Sequence, residues 1–370
     1  MPKQKEFKMT LNAEITNFSY QKCWMQSLPC VNFTDINDLP SKCLVNFNGK
    51  NFALSKWVSP KRTRSYPYAR VYDTFSSSAS KVVTIIPLIK DEGASGDMDY
   101  LQWDTLSLMS LLNVYVIIAF YDEAQPHPIY KDKITQQKLN NKYILEQLNK
   151  LCDYHQSALH FNLNQLSTQN LSNLTNLAKN AYINLSKSLN ITLHNPQNID
   201  KFATKITQNK DDFISFSRDK AKRAQNAESL TTQPKEHIGV GQKGKIIIEN
   251  YLGGQYFFTI DDIFLKNDIL HLCESKHSKS ALLPSSDDIK DGLLKLMLYN
   301  NLAKIQGFSH FKVVLRLTSS ALKANFKLPN SNLNAFIAQH KFSSAQQAML
   351  NSLNKEASNN NFEIWINDEN

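Results

Sequence analysis

The sequence predicts an α/β protein, with a mixed central sheet flanked by helices in its last third, a helical middle region and an α/β N-terminal region. Three observations carry this. Apolar β-branched runs flank a helical stretch before residue 130, apolar residues recur at three and four through the middle, and strand-like and helix-like segments alternate after residue 245.

In the N-terminal region, Lys81 to Ile89 (KVVTIIPLI) reads as a buried strand, Tyr100 to Leu112 as a helix and Val114 to Tyr121 (VYVIIAFY) as a second buried strand. That order predicts a crossover between parallel strands. The most apolar stretch, Thr105 to Tyr121, is interrupted by Ser107, Ser110 and Asn113 and changes from helix-like to strand-like midway. It therefore reads as core and not as a membrane span.

From about 131 to 235 the chain is rich in Asn, Gln, Leu, Lys and Ser and nearly free of Gly. Leu139, Tyr143, Leu145 and Leu148, then Leu171, Leu174, Leu177 and Ala181, keep helical spacing, which predicts folded amphipathic helices despite the Asn-rich composition. Pro234, Gly239, Gly241 and Gly244 mark a boundary between Gln233 and Gly244. Beyond it, the pattern predicts a helix Lys245–Leu252, strands Tyr256–Leu265 and Ile269–Lys276, a helix Asp287–Ile305, a strand Phe311–Thr318, a helix Ser343–Ala357 and a strand Phe362–Asn367. Lys266-Asn267-Asp268 is a tight-turn sequence joining the first two strands. Three regions result: 1–130, 131–240 and 241–370.

Lys+Arg number 42 and Asp+Glu 33, a net charge of +9. Such a surplus favours an anionic partner, nucleic acid or a membrane surface, and equally describes a merely basic soluble protein. The five cysteines are odd in number and form no CxxC pair, which fits a reduced, cytoplasmic setting. Cys23, Cys30 and Cys43 match no common zinc spacing. The start, Met1-Pro2-Lys3-Gln4-Lys5-Glu6, reads as no secretory signal.

The chemistry concentrates in the predicted hairpin. Side chains alternate along a strand, so Leu270, Leu272, Glu274 and Lys276 share one face. Two charges continuing a leucine face need a counter-charge, a metal or both, because burying them alone is costly. The first strand brings Asp261 or Asp262 beside Glu274. Two carboxylates that close repel, and a divalent cation resolves the conflict. Mg²⁺ favours a few carboxylate oxygens, water and substrate phosphate oxygens.

With Asp261 or Asp262, Glu274 and Lys276 on a hairpin followed by a helix and a strand, residues 245–320 resemble the PD-(D/E)xK nuclease superfamily. The usual proline before the acid is absent, with Ile260 in its place, which leaves the choice between the two aspartates open; Asp261 is preferred. The flank Leu283-Pro284 to Leu293 looks most like type II restriction endonucleases. The resemblance implies a restriction-endonuclease-like core, a Mg²⁺ cofactor, and sequence-specific cleavage of double-stranded DNA. Asp261, Asp262 and Glu274 are then the candidate metal ligands, and Lys276 orients the attacking water. Superfamily members often carry a further acid on the preceding helix; Glu249 stands there, and reads equally as a solvent-facing residue. The resemblance also implies a homodimer, to cut both strands, and pairing with a DNA methyltransferase. A repair or recombination nuclease of the same superfamily and a non-catalytic basic DNA-binding protein are the alternatives.

Outside the hairpin, Lys61, Arg62, Arg64, Tyr66 and Arg70 alternate cations with aromatics, a pattern suited to phosphates and bases and also to a basic surface loop. Arg218, Lys220, Lys222 and Arg223 form a second basic cluster. Asp91, Glu92, Asp97, Asp99 and Asp104, with Lys81 or Lys90, are a rival metal site or an ordinary acidic loop. Lys295 either approaches a phosphate or lies on a solvated helix face.

Overall fold

The computed structural model describes residues 9–62, 64–207 and 242–367. The Arg218–Arg223 cluster and the boundary up to Gly241 lie outside the described residues. In chain order the elements are β1 (Thr10–Ile15), β2 (Cys30–Asn32), β3 (Lys42–Phe47), β4 (Lys50–Lys56), α1 (Pro67–Thr74), β5 (Lys81–Pro87), β6 (Ile89–Asp91), β7 (Met98–Tyr100), α2 (Trp103–Leu111), β8 (Tyr115–Ala119), β9 (Tyr121–Pro126) and β10 (Ile134–Leu139). There follow α3 (Asn141–Cys152), α4 (Ala158–Gln165), α5 (Thr168–Leu189), α6 (Gln197–Thr207), β11 (Gln242–Asn250), β12 (Gln255–Lys266), β13 (Ile269–Ser278), α7 (Ser286–Tyr299), β14 (Lys304–Ile305), β15 (Phe311–Ser319), β16 (Phe326–Leu328), α8 (Leu333–Ala338), α9 (Ser344–Asn360) and β17 (Glu363–Ile366). Among the described residues no helix is long and apolar enough to cross a membrane.

The described chain gathers into two compact units, residues 9–27 with 242–367, and residues 28–207. These divide the chain at other places than composition does. β1 belongs with the C-terminal sheet, and the middle helices belong with the N-terminal strands.

Residues 28–207 hold a five-stranded sheet in the order β2-β3-β4-β5-β8. β5 and β8 are parallel and α2 joins them, as the strand–helix–strand pattern predicts. The Asn-rich stretch is helical as expected. Leu148, Leu171, Leu174 and Ala181 are buried, while Leu145 and Leu177 sit at the exposed margin. Leu139 ends a strand instead, in the β9–β10 hairpin. Asn140, Ser157 and Ser167 each cap a helix by accepting from a backbone N–H three residues on, which is why polar residues punctuate the middle region.

Residues 9–27 and 242–367 form a mixed eight-stranded sheet, ordered β14-β1-β11-β12-β13-β15-β17-β16 and flanked by helices. α7 packs on β13 and β15, and α9 on β16 and β17. One expected element is corrected: Lys245–Leu252 is not a helix. Gln242–Asn250 is strand β11, parallel to β1 and antiparallel to β12. The run Ile246-Ile247-Ile248 is β-branched and stiff at χ1, which favours the extended chain. Asn267 and Asp268 take positive φ (51° and 60°), the geometry that a two-residue turn between twisted strands requires. α7 starts at the Ser285 cap, with Asp287 and Asp288 in its positive first turn, and ends at Tyr299, earlier than the expected Ile305.

Candidate active site

A β-bulge aims the site. Gln242 faces Ile263 while Gly244 faces Ile260, so two steps on β11 span three on β12 and the extra residue falls at Asp261–Asp262. Gly244 sits beside the bulge, where a Cβ would lie 2.1 Å from Ile263 Cδ1 and 3.2 Å from the Met9 carbonyl oxygen. The two aspartates part company at this point.

Asp262 pairs across the hairpin with Cys273 and turns to the sheet face that carries Arg316. Its Oδ2 lies 2.8 Å from Arg316 Nη1, an ion pair in which both side chains are almost completely buried. The pair is not aligned as a hydrogen bond, and Arg316 Nε and Nη2 have no partner among the described residues. Asp262, named as a metal ligand alongside Asp261, is therefore engaged on the opposite side from Glu274.

Asp261 turns to the face of Glu274 and Lys276, beneath α7. Its Oδ2 accepts from the Ser275 backbone N–H at 2.8 Å, and Oδ1 accepts from no described residue. Glu274 is 1% exposed. Its Oε1 accepts from Lys295 Nζ at 2.7 Å and lies 3.1 Å from Lys276 Nζ. Its Oε2 is buried without a partner. Lys276 Nζ also donates to Asp291 Oδ2 at 3.0 Å. Gly292 lets the helix come this close, since a Cβ there would stand 2.9 Å from Leu315 Cδ1, 3.2 Å from Lys276 Cε and 3.5 Å from Glu274 Cγ.

The electrostatics follow from the packing. Burial, with the Glu274 charge adding to it, pushes the Asp261 carboxyl up to about 7. Burial works against the Lys276 ammonium, but Glu274 and Asp291 outweigh it and hold the amine above its ordinary value. Lys276 is thus a fixed positive donor and not a proton acceptor.

Asp261 and Glu274 fit a hard divalent cation. Each keeps one oxygen uncommitted, one of them buried, and their repulsion is the kind that a cation relieves. Among the described residues no three His, Cys, Asp or Glu side chains gather to hold a metal, so the remaining positions would fall to water and substrate oxygens.

Glu249 is not part of this group. It stands exposed near the end of β11 and accepts from Gln255 Nε2 at 2.6 Å. Asp291 is a site residue that the sequence reading passed over, and Lys295 lies in the site where a solvated face was the simpler reading. Their spacing of four on a helix, placing both on one face, was the available signal.

The basic–aromatic segment belongs to the other unit. Lys61 and Tyr66 are exposed there, and Tyr66 sits in the left-handed region (φ 50°) before α1. Arg64 is bound by Glu92 and Asp97 and lies 3.2 Å from Asp99 through Nε. Arg70 donates to the Lys56 carbonyl at 2.6 Å. Arg62 is partly buried. Asp91, Glu92, Asp97 and Asp99 of the rival acidic group are likewise engaged, and Asp104 is buried in the first turn of α2. Lys90 lies 3.2 Å from Glu92, Ser59 donates to Asp99 at 2.8 Å, and Asp91 accepts from the Gly93 and His194 backbones while lying 2.7 Å from His194 Nδ1.

No known protein family, curated protein or solved structure matches this chain.

Proposed function

We propose that this chain is a Mg²⁺-dependent endonuclease of the PD-(D/E)xK type that hydrolyses phosphodiester bonds in double-stranded DNA at specific sequences, as type II restriction enzymes do. The observation that carries the reading is the pair of carboxylates, Asp261 and Glu274, each with an uncommitted oxygen, set beside a permanently charged Lys276 on a hairpin under one helix. Asp261 and Glu274 would hold the cation. A bound Mg²⁺ would acidify water and offset charge on the phosphate. Lys276, fixed between Glu274 and Asp291, donates a hydrogen bond toward the attacking water and faces the charge that develops on the phosphate oxygens. Its anchoring on two carboxylates keeps that donor in place without reorganisation.

The surplus of positive charge supports an anionic polymer as substrate. Lys61 and Tyr66, exposed in the other unit, are the segment's best candidates for DNA contact. Arg64 and Arg70 are occupied within their own unit. A homodimer, a cytoplasmic location and pairing with a methyltransferase belong to the same proposal.

One observation favours a second reading. Two lysines on Glu274 Oε1 neutralise that carboxylate, as a purely structural ion network would. Incubation of linear duplex DNA with Mg²⁺, then with chelator, separates the readings. Discrete fragments that vanish on chelation support a sequence-specific nuclease. A smear supports a shape-reading repair nuclease of the same type. Binding without any cut supports the structural network.

A further inference from the structure

We propose that Lys279 and Lys323 form a phosphate-binding rim that seats duplex DNA beside the hairpin site. The proposal rests on the nuclease reading above. β13 and β15 run parallel, and their last paired residues are Ser278 and Ser319. Lys276 lies two residues before that end of β13. Ligands of open α/β sheets settle outside the carboxyl ends of the strands, which is where these two strands stop. The loops that leave this edge are tied to each other. The Ser320 backbone N–H donates to the Ser278 carbonyl at 3.0 Å, and Ser319 Oγ donates to the Ala281 carbonyl at 2.6 Å. Lys279 sits on the first loop and Lys323 on the second. Both are exposed, and neither has a hydrogen-bond or ion-pair partner among the described residues.

The surroundings give the rim a direction. α7 starts beyond the first of these loops and packs back on β13 and β15. Asp287 and Asp288 in its first turn already occupy its positive end, so that flank repels a phosphate chain. The lysines of the two loops have no such acid of their own and leave their ammonium groups to an incoming phosphate. The duplex backbone is therefore drawn to the strand-end loops and not to the start of α7. Arg64 and Arg70, in the other unit, are by contrast held by their own neighbours.

The test is binding of a blunt duplex of arbitrary sequence to the full chain over a range of salt, with chelator present so that nothing is cut. Wild type, Lys279→Gln, Lys323→Gln, the double variant and Lys266→Gln are compared. A lysine that neutralises a phosphate releases a counterion, so each rim substitution should lower the slope of log K against log salt by about 0.9, and the double by about twice that. Lys266 is exposed as well but stands at the turn end of the hairpin, opposite Ile269, and its loss should leave the slope as in wild type. All three positions are on the surface, so the variants should melt as wild type does. Unchanged slopes in the rim variants, or an equal drop in Lys266→Gln, would overturn the rim. Cleavage of plasmid by wild type in Mg²⁺, run alongside, keeps the two claims apart. Cleavage with unchanged slopes removes the rim and leaves the nuclease reading. Lowered slopes without cleavage remove the nuclease reading and support the rim as a duplex-binding edge. Wild type that neither binds nor cuts removes both.

Discussion

Both units of the chain gather acids and bases into one place, and the two gatherings differ in how completely they are balanced. Around Arg64, three carboxylates share one guanidinium, and Lys90 and Ser59 complete the set. Beneath α7, Asp261 is pushed toward the neutral form, and Glu274 keeps a buried oxygen with no partner. The first arrangement is closed by the protein's own groups. The second leaves a buried carboxylate oxygen of Glu274 unmet. Clusters of similar composition thus differ in what remains unmet, one of them met around Arg64 by neighbouring groups and the other keeping a buried carboxylate oxygen open.

The far face of the hairpin sharpens the contrast most. Asp262 and Arg316 form an almost fully buried pair. Arg316→Met should strand the Asp262 charge and cost about 3–5 kcal/mol in urea unfolding, whereas Arg316→Met with Asp262→Leu should recover most of that loss. Equal losses in the single and double variants would show that the pair is not what holds this face.

Arg64→Met comes next, at roughly 1–2 kcal/mol, because its side chain is a quarter exposed and solvent screens the network. Burial opposes ionisation of Glu92, but Lys90 and Arg64 outweigh it and hold the carboxyl below its ordinary value of 4.5. Its stabilising contribution is therefore present above that value and lost as pH falls through the lower, folded one. The gap between wild type and Arg64→Met should be full at pH 7 and shrink in acid. A gap independent of pH would mean that the arginine acts through packing alone.

The third effect has the opposite sign. Burial, with the Glu274 charge adding to it, pushes the Asp261 carboxyl from its ordinary 3.8 up to about 7, so the folded state holds the proton more tightly. Stability from this group is full below 3.8 and lost as pH rises toward 7. Asp261→Asn should match wild type at pH 4 and melt higher at pH 8, by roughly 2–4 °C for each kcal/mol of charge burial relieved. A lower melting temperature at pH 8 would mean that the aspartate is already compensated.

Much of the site is legible in the sequence because a strand's period of two places Glu274 and Lys276 together, and the turn at Asn267-Asp268 fixes the hairpin. The mixed sheet flanked by helices is legible for the same reason. Which aspartate faces Glu274 is not. That depends on a bulge in the pairing of β11 with β12, which exists only once the two strands are in register. β1 pairs in parallel with a strand more than two hundred residues away, and no local pattern announces it. Glu249 stands on a strand and not on a helix, as the three successive isoleucines before it favour. Arg64 looked like a phosphate contact because its segment was read without the acidic loop that folds onto it.

Whether the hairpin is a nuclease site is decided by cleavage of unmethylated plasmid DNA in Mg²⁺. Wild type, Glu274→Ala, Lys276→Ala and Arg64→Met should be compared, each scaled to its folded fraction. A nuclease site on the hairpin gives discrete fragments from wild type and Arg64→Met, and none from the two hairpin variants although both still bind DNA. Cleavage that survives both hairpin substitutions would contradict it.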